Sequence, residues 1–319
     1  MFEHILNVQT KKRTEMTRGN KPAEKRYAIG ADIGGSHLSS AIIDLDTGNI
    51  AGDITNTSLD NSASAPEILY TLATNINETM QKAKEARIRG VGLAFPGPFD
   101  YIHGISAIHG VGKFQNIFGL DVRTTLRHML KLPEETDLRF TNDATAFAMG
   151  EAIYGAAKGS RMTVILTLGT GVGSAFISDG KIIKEGHGIP ENGWVYDMPF
   201  EEGTVDEAFS TRWICRRYME LSGTEANGAK EIAERYTDCE KARQVFIEFG
   251  QRLGRFILQI TAGFHADTVV LGGNISNAWP LFRTEIQKCI ADAGSPVKVC
   301  QAAMPGCAAI SGAAALFRQ

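Results

Sequence analysis

With 319 residues the chain is long enough for two domains, each with a full core. Its 33 Lys and Arg against 36 Asp and Glu leave a net charge of −3, without the clustered basic face of a nucleic-acid binder. No apolar run approaches the ~20 residues of a membrane span, and no secretory signal is read at the N-terminus; the scattered Cys215, Cys239, Cys289, Cys300 and Cys307, with no CxxC pair, suit free thiols in the cytoplasm.

Residues 1–26 are basic and polar apart from Ile5, Leu6 and Val8. They read as a solvated extension around Lys11-Lys12-Arg13, with room for a short helix over 1–16 that is too small for a complete helix-turn-helix domain. From Tyr27 to Ile33 the chain reads as a buried strand, followed by a Gly34-Gly35-Ser36 turn, a second strand from Leu38 to Leu45 and a turn at Asp46-Thr47-Gly48-Asn49. Glycines let backbone N–H groups approach phosphate oxygens closely, and the Ser36 hydroxyl adds a donor. Asp32, at the strand end, suits Mg²⁺ held directly or through water. The plainer alternative is a Gly-rich hairpin in which Asp32 satisfies the turn.

A helix is predicted over 64–89, with Ser64 as N-cap, Pro66 in the first turn, and Ile68, Leu72, Ile76, Met80 and Ala83 as its apolar stripe. Gly90 to Phe95 then reads as a buried strand that stops at the rigid Pro96-Gly97-Pro98 turn. Residues 99–125 form a long irregular stretch with Gly104, Gly110, Gly112 and Gly119, and with His103, His109, Lys113 and Asn116. Such a loop serves as a binding loop or lid. Its two histidines have no third ligand at metal-site spacing.

A strand marked by Leu138 and Phe140 runs into Thr141-Asn142-Asp143-Ala144, the start of a small-residue helix. A carboxamide and a carboxylate therefore stand at the carboxyl end of a strand, where α/β proteins bind their ligands. Next come a strand from Thr163 to Leu168, the turn Gly169-Thr170-Gly171-Val172-Gly173, a strand from Ser174 to Ile177, a turn over 178–181, and Ile182-Ile183. This repeats the grammar of residues 27–50. Two such hairpins facing each other would clamp one phosphate chain. Residues 184–205 are irregular; helices are expected from Asp206 to Leu221 and from Cys239 to His265. The strand Thr268–Leu271 leads into Gly272-Gly273-Asn274-Ile275-Ser276, which is either a bed for a nucleoside or a turn with an N-cap. An Ala-rich helix runs from Cys307 to Phe317.

Taken in order, Asp32-Ile33-Gly34-Gly35-Ser36, Pro96-Gly97-Pro98, Asn142-Asp143-Ala144, the Leu168–Gly173 turn and Gly272–Ser276 make the chain resemble the ROK family (repressors, open reading frames and kinases) over roughly residues 27–317. The resemblance implies an α/β, two-domain actin-like ATPase fold, ribonuclease H-like, with an inter-domain cleft. The extension 1–26 would precede a smaller domain of 27–141 plus 303–319, and 142–302 would form the larger one. It further implies ATP with Mg²⁺, phosphorylation of a hexose or N-acetylated amino sugar, and a homodimer. Carried over by position, Asp143 is the catalytic base and Asn142 a sugar-hydroxyl partner, with Pro96 and Gly97 beside them. Glu191 matches the Glu of the family's Glu-x-Gly-His motif, and Glu207, or Asp206 next to it, a second sugar-binding acid. Gly34, Gly35, Ser36, Gly169, Thr170, Gly171, Gly173, Gly272, Gly273 and Asn274 fall to the nucleotide.

The chain departs from the family at Trp194, which stands where the motif has its His. That His contacts the sugar and shares a structural zinc with three nearby cysteines. Residues 195–214 contain no cysteine, so no zinc site is expected. Trp offers an apolar face and one N–H in place of imidazole, so a reshaped sugar site is expected.

Phosphoryl transfer needs a positioned hydroxyl, a group to accept its proton, and neutralised charge on the transferred phosphate. Asp143 suits the second task, although Asp is also a preferred helix N-cap. Two other readings stand beside a sugar kinase: a sugar-sensing regulator, and a non-catalytic ATP- or sugar-binding protein.

Overall fold

Two apolar strands, each followed by a glycine turn and an antiparallel return, seed two sheets of the same plan. The computed structural model describes residues 26–83, 87–110 and 112–318; the helix considered over 1–16 lies outside the described residues. In the first half, β1 (Tyr27–Ile33) turns into β2 (His37–Asp44) and then β3 (Thr55–Ser58). The helix α1 (Ala65–Lys82) follows; the Ser64 N–H and Oγ both donate to Glu67 Oε2, at 2.9 and 2.6 Å, which closes its first turn. It stops short of the predicted end. Ile88 and Arg89 belong instead to β4 (Ile88–Phe95), where Ile88 pairs with Tyr27. A small hairpin of β5 (Phe99–Asp100) and β6 (Ile105–Ser106), then α2 (Val122–Met129), give structure to the expected irregular loop. β7 (Asp137–Asn142) hands directly to α3 (Asp143–Ile153).

The second half repeats this order. It comprises β8 (Met162–Leu168), β9 (Val172–Ser178), β10 (Lys181–Ile183), and the hairpin of β11 (Pro199–Phe200) and β12 (Gly203–Thr204). Helices α4 (Val205–Phe209), α5 (Thr211–Ser222), α6 (Ala229–Glu234) and α7 (Glu240–Phe264) come next. The half ends with β13 (Thr268–Gly272), α8 (Trp279–Asp292), β14 (Lys298–Gln301) and α9 (Ala308–Ala314). The single helix expected over 206–221 is two, because Ser210 is extended (φ −94°, ψ 166°).

The sheets run β3-β2-β1-β4-β7 and β10-β9-β8-β13-β14. In each, two antiparallel returns flank a centre that continues into two parallel strands. Each has its own apolar core: Ile29, Leu72, Leu93 and Phe95 in one, Leu166, Phe176, Phe246 and Phe249 in the other. Between them lie α3 and α9, crossing so closely that side chains are excluded. A Cβ on Gly312 would overlap the Ala146 carbonyl, one on Gly150 the Ala308 carbonyl, and Gly30 and Gly92 admit α9 onto β1 and β4 in the same way. The fully buried Glu151 ties this seam, its carboxylate accepting the N–H groups of Ala156 (2.8 Å), Ala303 (3.0 Å) and Met304 (2.8 Å). Among the described residues no helix is long and apolar enough to cross a membrane.

Candidate active site

The parallel register of β1, β4 and β7 aligns Asp32 with Ala94 and Ala94 with Thr141, so Asp32, Pro96 and Asp143 close three adjacent strands at one edge. At that edge α3 begins, and its cap belongs to Asn142 rather than Asp143. Asn142 Oδ1 accepts the N–H groups of Ala144 (3.0 Å) and Thr145 (3.3 Å). Its Nδ2 donates to the Tyr101 hydroxyl at 3.2 Å, which donates to the Phe95 carbonyl at 3.1 Å. Asp143 is thereby released from the capping role. Half-buried, it takes the Ala144 N–H on Oδ1 at 2.9 Å, and among the described residues its other oxygen has no hydrogen bond. Burial, with the Asp143 charge adding to it and the Asn142 hydrogen bond opposing, holds the Tyr101 hydroxyl above its ordinary value.

The Asp32 carboxylate is mostly buried and has no hydrogen bond or ion pair among the described residues. Its carboxyl is raised from 3.8 to about 6, first by burial and then by the charge of Asp143, with His37 opposing. Two carboxylates in electrostatic reach of each other fit a divalent cation with hard oxygen ligands.

The first glycine turn is closed by Gly34 N–H donating to the His37 carbonyl at 2.8 Å, and the Asn61 amide donates to the Gly35 carbonyl. The second is held from outside. The Gly169 carbonyl accepts both the N–H (2.8 Å) and the hydroxyl (3.0 Å) of Thr211, and Asp206 Oδ1 accepts the Val172 N–H at 2.8 Å. Asp206 is paired in turn with Arg212 at 2.5 Å. Gly273 (φ +79°) lies against the Leu168 backbone, and Gly272 leaves room for the Phe147 ring. The Gly272–Gly273 turn thus abuts the start of the second one. Ser36, Thr170 and Asn274 are exposed at these strand ends.

A cavity of about 640 Å³ opens where the halves meet, a volume usual for a small-molecule site. Of the residues given a site role from the sequence, Pro96, Gly97, Asn142, Asp143, Gly173 and Trp194 line it. The glycines of the turns at 34–35, 169–171 and 272–273 do not; they flank it at the strand ends. Glu191 is exposed and outside the lining, although its neighbours Asn192 and Gly193 belong to it. The structure does not bring Glu207 to this cavity either. Its Oε2 accepts the Thr204 N–H (2.9 Å) and hydroxyl (3.1 Å), which closes the first turn of α4, and it lines a separate cavity with Arg216 and Arg252. Asp206 is committed to the second glycine turn. Tyr101, Lys113, Lys184 and Tyr196 add polar groups to the lining of the main cavity. Of these only Lys113 stood out in the sequence, within a long Gly-rich loop; the others lie in irregular stretches without periodicity. Among the described residues no three His, Cys, Asp or Glu side chains gather as a metal site. Near Trp194, the β11–β12 hairpin is fastened to α7 by Glu201, paired with Arg252 (2.5 Å) and Arg255 (2.8 Å).

The chain belongs to the ROK family, whose model matches residues 28–319. It is 32% identical over 165 residues to the polyphosphate glucokinase of Mycobacterium tuberculosis, a match covering 50% of this chain and 56% of that protein, so it spans only about half the relative's length. To the glucokinase of Thermotoga maritima it is 27% identical over 291 residues, covering 84% of this chain and 88% of the relative. The crystal structure of a ROK family glucokinase from Streptomyces griseus in complex with glucose and AMPPNP superposes with a TM-score of 0.68 at 20% identity, covering 92% of this chain and 99% of that one. The fold is the two-domain, actin-like ATPase fold of the ROK sugar kinases.

Proposed function

We propose that the protein is an ATP-dependent sugar kinase in which Asp143 accepts the proton of the attacking sugar hydroxyl. The observation that carries this reading is the Asp143 carboxylate itself. It stands at the mouth of α3 with one oxygen uncommitted, inside the cavity that Gly173, of the turn after β8, also lines. A sugar hydroxyl seated against that oxygen and Asn142 faces the flank where the turns' backbone N–H groups would cradle the donor's phosphates. Asp32 is the residue suited to hold Mg²⁺, which supplies charge neutralisation on the transferred phosphate. Asp143 remains the base throughout, because its free oxygen needs no rearrangement of the cap to take the proton. The names of the relatives, glucokinases of the same family, support this class of reaction. In the same reading the domains are 27–141 with 303–319, and 142–302, with the cavity between them.

One observation favours a second reading, a non-catalytic sugar- or ATP-binding protein. Neither Glu191 nor Glu207 lines the cavity, and Trp194 stands in the His position. ADP release from Mg-ATP across hexoses, N-acetylhexosamines and ketoses separates the two. Sugar-dependent turnover that falls about 10²–10⁴-fold in the Asp143→Asn protein is the expected result. Turnover undiminished by that substitution would remove Asp143 from the mechanism, and no turnover with any acceptor would favour the binding protein.

A further inference from the structure

We propose that the acceptor taken by this cavity carries, besides its reacting hydroxyl, an anionic group, a carboxylate or a phosphate, held by Lys113 and Lys184. The inference rests on the kinase reading above and deepens it to a substrate class.

The lining contains two ammonium groups, Lys113 from the first half and Lys184 just after β10, against a single carboxylate, Asp143. Among the described residues neither lysine has an ion pair or a hydrogen bond. Much of the rest is apolar or aromatic, including Phe99, Phe176, Trp194 and Tyr196. Lys113 is half-buried beside this wall and Lys184 is exposed at its edge; apolar neighbours strengthen an ammonium's pull on an opposite charge. Lys113 springs from fixed backbone: the next residue, Phe114, is fully buried, and its N–H donates to the Asn61 carbonyl at 3.0 Å.

The donor's phosphates do not account for these cations. Of the residues assigned to the nucleotide only Gly173 lines the cavity; Gly34–Ser36, Gly169–Gly171 and Gly272–Asn274 do not, so most of the phosphate-binding backbone stands outside it. A neutral sugar does not account for them either. Acids that accept hydroxyl hydrogens are the usual means of holding one, and here Glu191 and Glu207 stand outside. What faces the acceptor is instead two cations and a pair of rings, Trp194 and Tyr196, with centroids 6.2 Å apart at 42°. Trp194 is 52% exposed and offers its face to a sugar ring at the mouth.

The test is calorimetric titration of the full chain with three matched sets: glucose, glucuronate and glucose 6-phosphate, and their galacto and manno counterparts. Each is run at low and high salt, on wild type and on the K113Q, K184Q and double variants, with thermal melts to confirm folding. At least one anion should bind about tenfold or more tighter than its neutral parent, the effect of a charge-assisted contact. That advantage should shrink in each variant, vanish in the double variant and fall with salt; whether the uronate or the phosphate wins identifies the anion. Neutral parents binding as tightly as both anions in every set, no binding of any anion, or an advantage that survives in the double variant would overturn the inference. ADP release measured alongside keeps the two readings apart. An anion bound through the two lysines, with no sugar of any set phosphorylated, sinks the kinase and leaves the anion site standing. Turnover of a neutral sugar without anion binding does the reverse.

Discussion

Replacing Asp206 by Ala should loosen the second glycine turn and weaken nucleotide binding while leaving the sugar untouched. Asp206 Oδ1 accepts the Val172 N–H at 2.8 Å, and its other oxygen pairs with Arg212 at 2.5 Å. The first contact is a hydrogen bond to a charged acceptor, worth about 1.5–3 kcal/mol. The second involves a side chain 68% exposed, so it adds little, about 0–1 kcal/mol. Part of this holds the fold and part holds the turn. About 2 kcal/mol expressed at the turn corresponds to a roughly 30-fold weaker nucleotide. The assay is the Kd of a fluorescent nucleotide together with separate KM values for nucleotide and sugar. Asp206→Asn keeps an acceptor oxygen facing Val172 and should recover most of the loss, which a merely structural role would not predict. If the sugar KM rises while the nucleotide constant stays put, Asp206 is a sugar ligand after all and the clamp is wrong. A lower melting temperature with both constants unchanged would equally detach the clamp from phosphate binding.

Asp32 makes stability depend on pH. Its folded value, about 6, lies above the ordinary 3.8, so the native state holds a proton that the unfolded chain releases, and stability falls as pH climbs from about 4 through 6. By pH 7.5 the buried charge costs up to about 3 kcal/mol. Asp32→Asn should therefore raise the Tm of the nucleotide-free protein at pH 7.5, with the gain shrinking towards pH 4.5; a lower Tm at pH 7.5 would refute the argument. Glu151→Gln should be destabilising by about 2 kcal/mol. One of three backbone N–H groups now accepted by the carboxylate would face an amide NH₂ instead. Denaturant titration reads this directly, and an unchanged midpoint would mean the seam relaxes around the amide.

The parts of this fold legible in the sequence are those whose signal is local. β1, β2, β8 and β9 are apolar runs punctuated by glycine turns, and their repeated grammar anticipates the two matching sheets. The parts that were not legible are decided by distant partners. Ile88 reads as the end of a helix until Tyr27 pairs with it. The helical pattern over 206–221 gives no hint that Ser210 is extended, a bend that lets Thr211 reach the Gly169 carbonyl. At the site, Asn142 and Asp143 were visible as a pair, but which of them caps α3 is a matter of side-chain direction. Glu207 had the right neighbourhood in sequence and the wrong one in space, because Thr204 closes its capping box. Tyr101, Lys184 and Tyr196 come from segments without periodicity, and only the meeting of the two halves makes them one wall.

The proposed base and the proposed recognition surface are consequently built in different ways. α3 is gripped where no side chain intervenes: Gly150 and Gly312 bring it onto α9, Gly272 admits its Phe147, and Gly173 lies beside its Ala144. Backbone contacts of this kind leave little freedom, so the Asp143 carboxylate is set by the scaffold as a whole. Lys113, Lys184, Trp194 and Tyr196 hang from loops and strand ends, where a substitution disturbs little else. A His-to-Trp change at 194 can therefore redirect which acceptor enters without moving the group that would take its proton. That is why the departure from the family motif at this position argues for a different substrate before it argues for lost catalysis.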